Sequence, residues 1–148
     1  MSALDIQVGG SHYKDKAIQP VEFCHANNLG GIESSIVRYA FRWTEKNGVE
    51  DLKKIPHYLA LLRELEPVAT STEKIDEDGL DAARMRGQFP AVPQVITWER
   101  FVAENKIPII EARIIASIST WREFPVSNLA MAERAAEQLI REASYAIR

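Results

Sequence analysis

Apolar residues recur at spacings of three and four over most of the chain. Ile36, Val37, Ala40, Phe41 and Trp43 form one such stripe and predict a helix from about Ile32 to Glu45, closed by Lys46-Asn47-Gly48. Leu52, Ile55, Leu59, Leu62 and Leu65 form the next. That helix starts near Val49, with Glu50 and Asp51 in its first turn, where the helix dipole favours acids. Pro56 interrupts the stripe and removes one backbone donor, so a kink, or a break with a restart, is expected near Lys54. Ahead of both, Gln19-Pro20 opens a helix carrying Val21, Phe23, Cys24 and His25, because proline at the first helical position loses no needed donor. Asn27-Asn28-Leu29-Gly30-Gly31 stops it.

The far end of the chain reads as helical again. Thr97 caps a helix through Glu104 with Trp98, Phe101 and Val102 inward. Pro108 opens another, carrying Ile110, Ile114, Ile115 and Ile118 to Trp121. Ser127 caps a last long helix with Leu129, Ala132, Ala136, Leu139, Ile140, Ala143 and Ile147. The alanine-rich face of that helix allows close approach, either to another chain or to its own core. Between the two halves, Glu66-Pro67 ends the first unit and residues 68–81 read as a polar, acidic linker. A short helix through Arg86 and an irregular segment bounded by Gly87, Pro90 and Pro93 follow. The chain shows no repeat and no clear strand pattern; a short hairpin at the N-terminus or from Val92 to Ile96 stays open.

This patterning predicts a mainly α protein, a small helical bundle. An N-terminal three-helix unit occupies residues 1–66, an acidic linker and irregular segment 67–96, and a C-terminal helical unit 97–148. Each helix has one apolar face and must find a partner for it, within one domain or between chains, so a homo-oligomer is expected. At 148 residues the chain can bury a real core. A formal charge of −3 denies it the overall positive field that makes nucleic acid a main partner. The single cysteine, Cys24, excludes an internal disulfide and a cysteine-based zinc cluster. With no signal segment and no apolar run of membrane-spanning length, a cytoplasmic protein away from membranes is the expectation.

Arg38, Arg42 and Lys46 lie four apart, with Tyr39 and Trp43 beside them. They form either a solvated basic stripe, paired with Glu45, Glu50 or Asp51, or an anion site in which guanidinium groups grip phosphate and an aromatic ring supports a base. The loop Val8 to Pro20 could add Ser11, His12, Tyr13 and Lys14 to such a site, and Gly9-Gly10 a nest of backbone donors. It has neither the glycine-lysine-serine/threonine ending nor the preceding strand of a phosphate loop. Glu50-Asp51, then Lys53-Lys54 and His57, form a second charged cluster. The two acids could hold a magnesium ion carrying a nucleotide; helix capping explains them as well. His25 and His57 have no recognised metal spacing, and no serine or cysteine nucleophile has an evident base.

Several short motifs occur in one order: SHY at Ser11 to Tyr13, Ile18-Gln19-Pro20, IVRYAFRW at Ile36 to Trp43, Lys46, EDLKK at Glu50 to Lys54, and Tyr58-Leu59. Over about Val8 to Leu62 the chain resembles a phage-encoded family of small proteins with a serine-histidine-tyrosine motif, domain of unknown function 3310. That family includes the early nucleotide kinase of T-odd podophages, which lacks a Walker loop and phosphorylates deoxynucleoside monophosphates. The resemblance implies a cytoplasmic protein of an infected bacterium that handles nucleotides. It implies that Ser11, His12, Tyr13, Arg38, Tyr39, Arg42, Lys46 and Lys54 bind nucleotide or phosphate, with Glu50 and Asp51 as the catalytic acids, with or without magnesium; Lys14 joins them as a candidate from its place in the loop. A non-catalytic nucleotide-sequestering protein and a helical protein that inhibits a host protein are the competing expectations. The nucleotide readings require the cations of this helix to converge with the N-terminal segment on one concave surface.

Overall fold

Six α-helices account for most of the described residues, 2–11, 13–66 and 96–146 of a computed structural model. They are α1 (Pro20–Ala26), α2 (Gly31–Arg42), α3 (Val49–Leu65), α4 (Trp98–Asn105), α5 (Ile109–Ser119) and α6 (Pro125–Ala146). No strand occurs among the described residues, so the fold is mainly α. His12, the acidic linker with the elements read after it up to Val95, and Ile147 lie outside the described residues.

Local chemistry explains most helix boundaries. Pro20 occupies the first position of α1, where the Gln19 N–H donates to the Glu22 carboxylate at 2.7 Å. Asn27 closes α1 by donating its side-chain amide to Phe23 and, across the fold, to the Ile96 carbonyl, each at 2.8 Å. Gly30 precedes α2 because a Cβ there would stand 2.7 Å from the Glu33 carboxylate. α2 stops at Arg42 and tightens into a 3-10 turn, Trp43–Glu45, rather than running on to Glu45. Gly48, at φ 59°, then turns the chain into α3.

Some expectations fail. Of the kink or break expected at Pro56, the break does not occur: α3 is continuous from Val49 to Leu65 with Pro56 inside it. Losing one intrahelical bond is outweighed by the face that Leu52, Ile55, Leu59 and Leu62 bury on both sides of the proline. Nor does Ser127 cap the last helix. Pro125 starts α6 with its preset φ, leaving Ser127 exposed in the first turn. The Thr97 cap is present, its hydroxyl accepting from Arg100 N–H at 3.2 Å. Val21 and Leu65, read as parts of apolar stripes, are exposed.

All six helices contribute to one apolar core. α6 lies against α3 and α5, and α2 against α3 and α5. The alanine face of α6 is used internally, with Ala132 and Ala136 fully buried. Phe101 of α4 joins the two ends of the chain: it stacks on Phe23 at 4.4 Å and 7°, and on Phe41 at 5.5 Å and 23°. Asn105, at the end of α4, hydrogen-bonds the Ile18 backbone through both its oxygen and its nitrogen, which fixes the segment leading into α1. Glu33 of α2 is fully buried; it accepts from the Trp121 indole at 3.2 Å and from Arg122 at 2.8 Å. Arg122 also grips Glu66, tying the α5–α6 turn to the ends of α2 and α3. Among the described residues no helix is long and apolar enough to cross a membrane.

Truncating Phe101 removes both stacks and leaves a cavity where the chain's two ends meet. Phe101→Ala is expected to cost about 3–5 kcal/mol in urea unfolding, against less than about 0.5 kcal/mol for the exposed Val126→Ala.

Candidate functional site

Turning the chain at Gly48 brings the first turn of α3 against the last residue of α2. Asp51, fully buried, is the centre of the junction. Its Oδ1 accepts from Asn47 Nδ2 at 3.1 Å and from Lys54 Nζ at 2.9 Å; its Oδ2 accepts from Arg42 Nε at 3.3 Å. Lys54 follows one turn later on α3, and Asn47 sits in the connecting turn. A carboxylate so far from water needs these partners, because an unpaired buried charge is strongly unfavourable.

The two cations frame an aromatic surface. The Arg42 guanidinium lies 5.4 Å from the centre of the Tyr39 ring and Lys54 Nζ 5.1 Å from it. Tyr58 meets Tyr39 edge-on at 5.5 Å, and His57 meets Tyr58 at 5.9 Å. The N-terminal loop closes the other side: Arg42 donates through Nη1 to the Tyr13 hydroxyl at 3.3 Å. Tyr13 is held in place by its N–H to Gln7 Oε1 at 2.9 Å and by its ring beside Phe41 at 6.2 Å. An ion pair from Lys16 to Glu45 pins the same loop to the end of α2.

Charge is stabilised throughout this cluster. Burial raises the Asp51 pKa, but the hydrogen bonds from Lys54 and Asn47 and the charge of Arg42 outweigh it and hold the carboxyl below its ordinary range. Burial pulls Arg42 down, and the Tyr13 hydroxyl together with Asp51 more than offsets it. Lys54 is raised by its hydrogen bond to Asp51. Tyr39 is raised by its hydrogen bond with Tyr58 and by burial, against the lowering effect of Lys54 and Arg42. Two cations therefore share one carboxylate and leave an excess positive charge beside a tyrosine face.

Of the residues expected at the site, Tyr13, Tyr39, Arg42, Asp51 and Lys54 come together. Arg38 does not join them. Its guanidinium is exposed, donates to Ser35 Oγ at 3.1 Å, and borders a separate cavity of about 270 Å³ with Cys24 and His25. Burial pushes the Cys24 thiol up, away from the reactive thiolate. Lys46 is exposed; the 3-10 turn after Arg42 advances three residues per turn and breaks the four-residue spacing that would have kept it in line. Ser11 and Lys14 are exposed, and His12 is outside the described residues. Glu50 turns outward and pairs with Lys53 at 3.0 Å. Asn47 and Tyr58 complete the cluster without having been read as site residues. The spacing of Asn47 to Asp51, one helical turn, was the signal for the first.

Among the described residues no group of three or more His, Cys, Asp or Glu is placed to hold a metal ion. Both Asp51 oxygens already face cations or an amide, so Asp51 fits a magnesium ion poorly; Glu50 keeps an open carboxylate.

Residues 8–60, little more than a third of the chain, match the family model described as a protein of unknown function (DUF3310). The matched stretch contains every residue of the Asp51 cluster. No curated protein and no solved structure matches the chain.

The lowered Asp51 pKa gives stability that is fully present above the unfolded value, about 3.9, and is lost as pH falls through the lower folded value. Asp51→Asn should cost about 2 kcal/mol in urea unfolding at pH 7. The gap to the unaltered protein should be flat down to about pH 5 and narrow below about pH 4.

Proposed function

We propose that this protein handles nucleotides, holding nucleotide phosphate on Arg42 and Lys54 with the base or sugar against Tyr39 or Tyr13. The observation that carries this reading is the sharing of one buried carboxylate by two cations beside a half-buried tyrosine ring. Asp51 neutralises one charge and orients both donors; the remaining charge is available to an anion, and a guanidinium is suited to phosphate oxygens. Lys46 and the loop residues Ser11 and Lys14, all exposed, are free to add to this charge in this reading, whereas Arg38 turns to Ser35 and the Cys24–His25 cavity.

The most concrete form is phosphoryl transfer to a deoxynucleoside monophosphate in the cytoplasm of a phage-infected bacterium, which rests on the motif order described above. Phosphoryl transfer depends mainly on positioning and on neutralising charge, so a cationic helix junction without a phosphate loop is chemically sufficient for its binding part. Glu50 is then the group that orients the acceptor or a magnesium ion, and Asp51 positions the cations. Binding without turnover is the second reading. It is favoured by the engagement of both Asp51 oxygens, which leaves that carboxylate unable to serve as a base.

A thermal-shift screen of deoxynucleoside monophosphates with and without magnesium tests the binding, and a coupled assay with ATP tests the transfer. A monophosphate at a hundredfold over its dissociation constant should add about 2.7 kcal/mol of stability. Arg42→Ala, folded by circular dichroism, should lose at least about tenfold in affinity and any diphosphate product. Tight binding without product selects the second reading; no stabilisation by any nucleotide ends both.

A further inference from the structure

Among the described residues, two glutamates are buried against tryptophan indoles, and only one of them has a counter-ion. Glu33 accepts from the Trp121 indole N–H at 3.2 Å and from the Arg122 guanidinium at 2.8 Å, and that guanidinium lies 4.6 Å from the Trp121 ring. Glu111, in the first turn of α5, is 5% exposed and accepts from the Trp43 indole N–H at 3.0 Å through Oε1. It has no ion pair with any described lysine or arginine; of the two lysines that line the same cavity, Lys16 is taken by Glu45 and Lys106 is exposed.

In place of an arginine, Glu111 faces space. It lines a cavity of about 190 Å³ whose walls are Phe41, Trp43, Ile107 and Pro108 and whose polar lining includes Glu45, Lys16 and Lys106. Every fully buried side-chain oxygen among the described residues has a partner, so the unbonded Oε2 of Glu111 keeps an opening, and this cavity is what Glu111 borders. A carboxylate accepts from about four directions, and here one is filled. Desolvating it is favourable only with a cation and further donors.

We propose that this cavity binds a guanidinium group, gripped by Glu111 and laid against Trp43 as Arg122 is laid against Trp121. A planar guanidinium matches a carboxylate with two parallel N–H donors and stacks on an indole face, which a metal ion or a compact ammonium does not. Glu111 and the cavity's α4–α5 wall lie outside residues 8–60, so the site is a property of this chain rather than of the matched segment. The group arrives either on a small molecule or on an arginine side chain of a bound peptide.

Titration followed by the Trp43 indole N–H resonance separates these. The probes are n-butylguanidinium, its neutral counterpart n-butylurea, acetyl-Gly-Arg-Gly-amide, and the same peptide with citrulline, all at constant ionic strength. The resonance should shift saturably with a dissociation constant of about 1 mM or below for one or both guanidinium probes. The neutral counterparts should bind at least about tenfold more weakly. Glu111→Gln keeps an oxygen for the Trp43 indole and should lose the same factor. Saturation by the small probe alone identifies a small-molecule site, and saturation by the peptide an arginine-docking site. No saturable shift, equal binding of the neutral probes, or unchanged binding in Glu111→Gln overturns the proposal. Loss of nucleotide binding in Arg42→Ala does not enter this test, since the Glu111 cavity and the Asp51 cluster use different residues.

Discussion

Burying the Asp51 carboxylate is the constraint from which the N-terminal half is organised. Once that oxygen pair leaves water, it requires donors from every side, and the chain supplies them from three places: the last residue of α2, the connecting turn and the second turn of α3. Meeting this demand sets the angle at which α2 and α3 join and freezes Arg42, whose remaining donors then point at Tyr13 and past Tyr39. The reach of the N-terminal loop follows from the same constraint, because Tyr13 docks on a guanidinium already held in place. The groups that make the junction stable are also the groups that leave a positive, ring-lined surface.

The second half of the chain completes what the first cannot bury. α1, α2 and α3 have apolar faces larger than they can cover among themselves, and α4, α5 and α6 cover them. Phe101 inserts between Phe23 and Phe41, and Phe41 in turn backs Tyr13, so packing from α4 reaches the loop through three aromatic rings. The proposed phosphate site is thus supported from behind by residues outside the matched family segment.

Three acids are buried among the described residues, and each is satisfied differently. Asp51 has two cations and an amide, Glu33 an arginine and an indole, Glu111 an indole alone. All three sit in the first turn of a helix, where the backbone dipole helps them, yet that help is small beside the loss of hydration. Their partners decide what each does: a rigid junction, a latch between the α5–α6 turn and α2, and an open acceptor in a cavity.

Much of the fold was legible in the order of residues alone. Helices were readable because an amphipathic stripe of three- and four-residue spacing reports which face must leave water, and because Gln19-Pro20, Thr97 and the Lys46-Asn47-Gly48 stop act through local backbone chemistry. Part of the cluster was readable too, since Arg42, Tyr39, Asp51 and Lys54 lie within one or two turns of each other. What the sequence could not settle depended on contacts between distant segments. The continuity of α3 through Pro56 was decided by burial on both sides of it, the parting of Lys46 from Arg42 by where α2 tightened into a 3-10 turn, and that of Arg38 by its contact with Ser35 beside the Cys24–His25 cavity. Spacing placed Glu50 and Asp51 side by side as equals. Only the tertiary structure put one in the interior among cations and the other in water, because successive helical positions point about 100° apart and desolvation acts on just one of them.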